Sequence, residues 1–330
     1  MAPHRAGPRA ARLARLDGSA RNEGHATDRD GVSAEPDHLP PRLWWLLAGL
    51  TLAWGFNWTA MKVALGDVSP WTFRTLCLGL GSAVLFLVLR AGGQRLGVPK
   101  GQWGRLAALA FFNITCWNVL VAFGLTMIPS GRAAILAYTM PALAIPLSVW
   151  LLGEHLTTAK LLGLACGMAG LALLLGEGIV SLGKAPLGSL LVLGAAASWA
   201  LGVILQKRYP MSMPAGPYTA WIMLLGGVPI FIGALLFDDF GTLRHVRPEA
   251  ALGIAYNVLI AFAWAHWAWI KIATAVSVTV FSLSMLVIPV VGVLSGMLFL
   301  GERPTWAEYA ALLLVLGSLL TVVIPARQVR

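Results

Sequence analysis

The sequence contains few charged residues and few cysteines. Charged residues make up 12% of its 330 positions and hydrophobic residues 58%, whereas a soluble domain is about one quarter charged. This composition excludes a water-soluble globular fold, because such a fold needs a polar exterior. The three cysteines, Cys77, Cys116 and Cys166, all lie inside apolar stretches, so we expect neither a disulfide framework nor a CxxC metal site. We predict that the protein holds no metal and no cofactor.

Carboxylates are absent from the middle of the apolar stretches. The 14 Asp and Glu residues lie in the amino-terminal segment, in short connections or, like Glu308, near the end of an apolar stretch. A polycationic ligand inside a membrane would need a buried negative charge, so the sequence argues against export of such compounds. It also argues against an intramembrane enzyme, because His266, the only histidine well inside an apolar stretch, has no acid or metal-binding cluster beside it.

The apolar residues form ten stretches, each near the roughly 20 residues that span a bilayer core as a helix. Short connections between them contain Pro or Gly, which are typical of helix ends, and they make sequential helices antiparallel. We therefore predict an all-α integral membrane protein with ten transmembrane helices. The predicted spans are residues 43–64, 71–90, 105–126, 131–152, 158–176, 187–206, 217–237, 250–271, 275–300 and 305–325.

Basic residues predict the orientation of the chain. With the amino terminus inside, 17 of the 24 Lys and Arg residues fall on the inner side, so both termini are predicted to be cytoplasmic, in the inner or plasma membrane of the cell. Their placement beside apolar stretches explains the net charge of +10 without nucleic acid as a partner. Residues 1–41 contain no apolar run and are predicted to form a disordered cytoplasmic tail.

The second half of the sequence repeats features of the first at offsets of 144 to 148 residues. Five spans is an odd number, so the second copy would enter the membrane from the opposite side. We predict two inverted five-helix repeats, residues 42–182 and 183–326, around a central cavity that opens alternately to each side. The matched stretches are Trp54–Lys62 with Trp199–Lys207, Pro70–Thr72 with Pro217–Thr219, Asn113 with Asn257, and Pro141–Glu154 with Pro289–Glu302.

Several of these stretches resemble a known family. Gly131-Arg132-Ala133-Ala134, Pro141 and Leu151–Thr157 resemble the most recognisable part of EamA-type transporters of the drug/metabolite transporter superfamily. The stretch from Ser277 through Pro289 to Pro304 resembles its second copy, and Ala53–Lys62 resembles the opening helix of the family. The resemblance covers about residues 43–325. It implies a ten-helix fold around a central cavity, as in the YddG-like amino acid exporters, and export of amino acids or related metabolites.

Polar and aromatic side chains at mid-membrane depth are the candidates for substrate binding, because such residues are costly there without a role. For each tryptophan the alternative is ordinary packing between helices, and for the asparagines it is a hydrogen bond that ties two helices together. The residues predicted to line the cavity are Trp54, Asn57, Trp58, Asn113, Trp117, Tyr138, Trp199, Asn257 and Trp264.

Three ionisable residues are candidates for a charge or proton role. Lys62 and Arg74, near the ends of their helices, either extend to the interface or attract an anionic group. His266 either relays protons near neutral pH or packs as a hydrogen-bonded histidine.

The sequence therefore predicts a transporter, not an enzyme, that exports a small metabolite by alternating access. An aromatic and weakly cationic cavity favours a neutral, zwitterionic or anionic substrate with an apolar part, with an amino acid as the first choice. The alternative is a passive facilitator of a nucleoside, sugar or organic anion without ion coupling. The predicted partners are the substrate and the lipid bilayer, and the sequence is compatible with both a monomer and a homodimer.

Overall fold

The computed structural model describes residues 41–182, 186–273 and 287–323. The predicted tail (apart from residue 41) and the first half of the ninth predicted span, which includes Ser277, lie outside these ranges. Every regular element within them is helical, which confirms the all-α class for this part of the chain.

The described helices follow one another along the chain with short connections. Two segments of π-helix span Phe111–Cys116 and Tyr256–Trp264, and a 3₁₀ helix spans Phe240–His245. The α-helices are α1 (Pro41–Ala64), α2 (Pro70–Ala91), α3 (Trp103–Ala110), α4 (Trp117–Met127), α5 (Ser130–Ala137), α6 (Met140–Leu152), α7 (Thr158–Leu182), α8 (Pro186–Arg208), α9 (Ala215–Phe237), α10 (Pro248–Ala255), α11 (Ala265–Ala273), α12 (Val287–Leu300) and α13 (Trp306–Val323).

Within the described ranges, six helical segments are long and apolar enough to cross a membrane. Their outward faces carry exposed leucines such as Leu236 and Leu252, both 70% exposed, as expected where the solvent is lipid. The chain is therefore an integral membrane protein, and the total of ten spans stays a prediction. The six segments are Pro70–Ala91, Trp103–Met127, Ser130–Leu152, Leu187–Arg208, Ala215–Phe237 and Pro248–Trp269, and shorter apolar helices are Thr158–Leu174, Val287–Leu300 and Trp306–Thr321.

Local sequence explains several helix ends. Pro70 stands in the first turn of α2, where its missing N–H costs nothing, and the Ser69 hydroxyl accepts a hydrogen bond from Thr72 N at 3.2 Å. Gly153 and Gly301 follow α6 and α12 with φ of +67° and +65°. A left-handed glycine is the usual residue at this position because it has no Cβ to clash.

The hydrophobic core is shared between the two halves of the chain. The most extensive helix contacts pair α7 with α13, α2 with α9, α4 with α8 and α1 with α12. Each pair joins a helix before residue 183 to one after it. Fully buried side chains such as Phe73 on α2 and Met223 on α9 fill the space between them.

The two Gly-Glu turns lie at opposite ends of this bundle. Glu302 contacts Ser130, the first residue of the Ser130–Leu152 segment, whereas Glu154 follows its last residue. Because a helix rises about 1.5 Å per residue, these contacts are roughly 30 Å apart. We call the two ends of the bundle the Glu302 end and the Glu154 end.

Lysines surround the carboxylate at the Glu154 end. Glu154 contacts Lys160 Nζ at 2.7 Å and also pairs with Lys207, the penultimate residue of α8. The hydrogen bonds from Lys160 and then Lys207 hold the pKa of Glu154 at about 2, well below its ordinary value. These two contacts of Glu154 join the end of α6 to α7 and to the end of α8.

Asp238 ties two helices together at the Glu302 end. Its carboxylate follows α9 and accepts hydrogen bonds from Thr72 N at 2.9 Å, Thr72 Oγ1 at 2.6 Å and the Ser69 hydroxyl. An acid at this position satisfies free N–H groups of α2 and complements its dipole.

We predict that Asp238→Ala lowers the free energy of unfolding by about 1–2 kcal/mol, the usual cost of losing an N-terminal cap. Asp239→Ala is the matched control, since Asp239 accepts only a local hydrogen bond from Gly241 N among its side-chain contacts. Thermal unfolding of the detergent-solubilised protein measures both. Equal melting temperatures for the two variants would contradict a stabilising role for Asp238.

Candidate functional site

The structure places several of the predicted site residues at two helix interfaces. The first group lies where the π-helical segment Tyr256–Trp264 packs against α1 and α2, and contains Trp54, Asn57, Arg74 and Asn257. The second lies where α4 and the π-helical segment Phe111–Cys116 pack against α8, and contains Asn113, Trp117 and Trp199.

In the first group, side chains bind backbone carbonyls across the helix interface. Trp54 Nε1 donates to the carbonyl of Ala261 at 3.2 Å, and the Tyr256 hydroxyl donates to the carbonyl of Ala53 at 2.9 Å. A π-helical segment leaves carbonyls without their regular α-helical partner, so side chains from a neighbouring helix can bind them. Tyr256 was not among the predicted residues, because its relation to Ala53 depends on tertiary packing.

His266 packs at the same interface, beside Trp54 and Ala261. Its Nδ1 lies 3.1 Å from the Ala261 carbonyl, and its ring stacks on Phe262 with centroids 5.5 Å apart. The Trp54 ring meets it edge-on at 5.8 Å. This is the geometry of the hydrogen-bonded packing histidine, and the proton-relay role stays a hypothesis.

Arg74 is the most unusual residue of the first group. It is 2% exposed, its Nη2 lies 2.9 Å from Met61 Sδ, and its guanidinium lies 5.1 Å from the centre of the Phe73 ring. Within the described ranges Arg74 forms no ion pair, and its Nε has no hydrogen-bond partner. Asn57 is one helical turn before Met61, on the same face of α1.

The three candidate asparagines also have free acceptor atoms. In the part of the chain that the structure describes, the Oδ1 atoms of Asn57, Asn113 and Asn257 are buried without a hydrogen-bond partner. Leaving a buried acceptor unpaired costs about 1–3 kcal/mol. The amide nitrogen of Asn257 is engaged, since it donates to Gly253 O at 3.0 Å.

The second group combines an aromatic pair with a tightly packed amide. The rings of Trp117 and Trp199 have centroids 5.0 Å apart. Asn113 lies against Gly202, where a Cβ would overlap its Oδ1. In the matched stretches Gly202 is the counterpart of Asn57, so the missing side chain makes room for Asn113.

Three further predicted residues make other contacts. Trp58 is 5% exposed and packs beside Gly292 of α12, where a Cβ would lie 3.2 Å from its ring. Tyr138 is half-buried at the break between α5 and α6. Trp264 covers Gly49 and lines an apolar groove of about 300 Å³ between α1 and the π-helical segment.

Lys62 is engaged with protein carbonyls. Its Nζ donates to Leu125 O at 2.5 Å and Ile128 O at 2.8 Å, at the carboxyl end of α4. This contact does not decide between the two sequence-based alternatives, extension to the interface or attraction of an anion, and both stay predictions.

A second cavity of about 290 Å³ lies at the Glu302 end. Arg132 lies on its wall and is largely satisfied, with Nη2 2.5 Å from Leu174 O and Nε 3.8 Å from Glu308 Oε1. Lining residues are Pro129, Gly131, Arg132, Ile135, Val293, Glu302, Arg303, Pro304, Thr305 and Glu308.

We predict that Gly202→Ala destabilises the protein by about 1–3 kcal/mol, the usual cost of overpacking a core, because the new methyl group meets Asn113. The double variant Asn113→Ala/Gly202→Ala should recover most of this loss. Gly79→Ala on α2 is the control, since a Cβ there meets nothing within 4 Å. Thermal unfolding in detergent measures the three, and a double variant no more stable than Gly202→Ala would contradict this packing.

Comparison with known proteins agrees with this architecture. The model of the EamA-like transporter family matches residues 43–176 and 186–324. A solved crystal structure has the same fold, with a TM-score of 0.62 and 21% identity, over 88% of this chain and 98% of that one.

Named relatives extend over most of the chain. The uncharacterized transporter YoaV of Bacillus subtilis is 26% identical and the match covers 83% of this chain and 92% of that protein. A probable amino-acid metabolite efflux pump of Escherichia coli is 26% identical, over 82% of this chain and 91% of that protein. Protein PecM of Dickeya dadantii is 29% identical, over 68% of this chain and 75% of that protein. Since the family model matches both halves of the sequence, the chain belongs to the EamA-like transporter family.

Proposed function

We propose that this protein is a secondary transporter that exports an amino acid with an aromatic or other apolar side chain across the inner or plasma membrane by alternating access. In this proposal, residues 42–182 and 183–326 form two inverted five-helix repeats around a shared cavity. The relatives named as probable amino-acid metabolite efflux pumps support the substrate class.

Reciprocal helix contacts support the two-repeat arrangement. Counted span by span, α2 and α9 are the second spans of their halves, α7 and α13 are the fifth spans, and each pair is in contact. The third span of one half also packs on the first span of the other, as α4 does on α8 and α10 on α1. A two-fold axis in the membrane plane would produce such reciprocal pairs.

The matched breaks in the helices support a shared cavity. Asn113 lies in the π-helical segment Phe111–Cys116, and its sequence counterpart Asn257 lies in Tyr256–Trp264. Irregular backbone at membrane depth is tolerated where it lines a cavity or is covered by protein.

The buried guanidinium of Arg74 carries the substrate proposal. Arg74 is the fifth residue of α2, where a cation is disfavoured by the helix dipole, and an unpaired buried charge costs several kcal/mol. Asp238, which binds α2 at Ser69 and Thr72, is not an ion-pair partner of Arg74 in the described structure. A substrate carboxylate would compensate this charge.

The asparagine oxygens suit the other end of such a substrate. A protonated amino group has N–H donors and no acceptor, and the Oδ1 atom of Asn57, one turn from the residue that Arg74 contacts, is an unpaired acceptor. The Trp54 ring lies one turn further along the same helix and offers an apolar surface for a side chain. Together these groups favour a zwitterionic substrate with an apolar part.

We predict that Arg74→Gln raises the concentration for half-maximal counterflow of an aromatic amino acid at least about tenfold, since a hydrogen-bonded ion pair with the substrate is lost. Arg90→Gln is the matched control, because Arg90 is exposed in the last turn of the same helix. Purified protein in liposomes, preloaded with unlabelled amino acid, gives the measurement.

Two results would contradict the proposal. One is the absence of counterflow for every amino acid tested with a folded protein. The other is equal competition by the amino acid and by the corresponding amine without a carboxylate, which would show that Arg74 does not bind that group.

A passive facilitator is the second candidate, because no carboxylate lies in the middle of a described span to carry a proton. Such a protein would exchange substrate without accumulating it. Uphill uptake or efflux in liposomes with an imposed proton gradient would exclude this alternative.

A further inference from the structure

The corner between α4 and α5 at the Glu302 end exposes opposite partial charges within a few residues. Here α4 ends at Met127 and α5 begins at Ser130. The last carbonyls of a helix lack intrahelical partners and carry partial negative charge, and the first N–H groups of the next helix carry partial positive charge. Such a corner can be bound by a cation on one side and an anion on the other.

Lys62 binds the carbonyl side of this corner. It comes from the last turn of α1 and donates to Leu125 O at 2.5 Å and Ile128 O at 2.8 Å. It therefore links the end of α1 to the end of α4.

Glu302 binds the amide side. Its carboxylate accepts hydrogen bonds from Ser130 N at 2.6 Å, Ser130 Oγ at 3.0 Å and Gly131 N at 3.0 Å. Glu302 lies in the connection between α12 and α13, so these bonds close the gap between that connection and α5. Hydrogen bonds to a charged acceptor are about twice as strong as neutral ones.

Small residues let α5 and α12 approach each other closely. A Cβ on Gly131 would lie 3.1 Å from the Cα atom of Val293, and a Cβ on Gly296 would lie 2.7 Å from Ser130 Oγ. Beside them, the hydroxyls of Thr59 on α1 and Ser295 on α12 are 2.7 Å apart. Hence α1, α5 and α12 meet closely beside the corner.

The sequence counterparts of Lys62 and Glu302 are arranged differently at the other end. Lys207 and Glu154 occupy the matched positions, and there the lysine and the glutamate pair directly with each other. One chain thus contains both arrangements of the same two residues, bound to a helix corner at one end and paired at the other. Inverted repeats exchange conformations during alternating access.

We propose that Lys62 and Glu302 are gating residues that hold the Glu302 end closed in this conformation. The gate opens when Glu302 leaves Ser130 and Gly131 and pairs with Lys62, as Glu154 pairs with Lys207. The proposal rests on the alternating access of the proposed function. Glu302 keeps polar partners in both arrangements, so neither leaves its carboxylate buried without a hydrogen bond or a counter-charge.

Reactivity of a cysteine at position 135 tests the gate. Ile135 is fully buried and lines the cavity behind the corner, so Ile135→Cys should react with a water-soluble maleimide only when the gate opens. The reporter is placed in a background with the three native cysteines replaced by alanine, in nanodiscs, where both faces are accessible. Glu302→Gln should raise the labelling rate about tenfold, because it weakens the three hydrogen bonds of the closed arrangement and removes from the open one only an ion pair that water screens.

Ser130→Ala provides a second variant. It removes a contact made only in the closed arrangement and should raise the rate about threefold, even if Glu302→Gln does not fold. The matched control is Glu249→Gln, an exposed acid in the first turn of α10 that is not part of the gate, which should leave the labelling of position 135 unchanged.

Labelling of Glu302→Gln and Ser130→Ala at the parent rate, in folded and monodisperse protein, would overturn the gate. An equal increase in Glu249→Gln would also overturn it, because the loosening would then be general. Labelling needs no substrate, so it reports on the gate even if amino acid counterflow fails. Counterflow without a change in labelling would remove the gate and leave the transport proposal intact.

Discussion

Backbone polar groups inside hydrocarbon must find partners within the protein, and this requirement shapes the whole bundle. Where helices break or end, side chains from distant parts of the chain supply the partners. Ser198 donates to the carbonyl of Phe112 at 2.8 Å, and Trp54 donates to that of Ala261. Lys62 and Glu302 bind the α4–α5 corner in the same way. Each contact joins segments at least 63 residues apart, so satisfying the backbone also fixes the tertiary packing.

Apolar length alone predicted where many helices run, and could not predict where they break. The predicted span 217–237 corresponds to α9 (Ala215–Phe237), because nothing interrupts its apolar pattern except Pro229, which α9 contains. The predicted span 131–152 contains a break at Tyr138, between α5 and α6. The π-helical segments were missed because they depend on partners such as Ser198, which local propensity does not reveal.

For the candidate site, the sequence indicated which residue types to consider but not which residues contact one another. Trp117 and Trp199 form a pair because they occupy facing helices. Arg74 is buried, and its role in attracting an anion stays a prediction. The contact of Glu302 with Ser130 spans 172 residues, and its only sequence signal was the repeated Gly-Glu turn. That signal marked the residue without indicating its partner, because partner choice is set by how the halves pack.

The proposed alternating access depends on the two halves crossing the membrane in opposite senses around one cavity. His155 and Arg303 follow the two Gly-Glu turns directly and are both exposed, so each can carry a cysteine without disturbing a buried contact. Labelling with a membrane-impermeant thiol reagent, in a background without native cysteines, is the most direct test. We expect Arg303→Cys to react in intact cells and His155→Cys only after permeabilisation. Reaction of both from the same side would contradict the inverted arrangement.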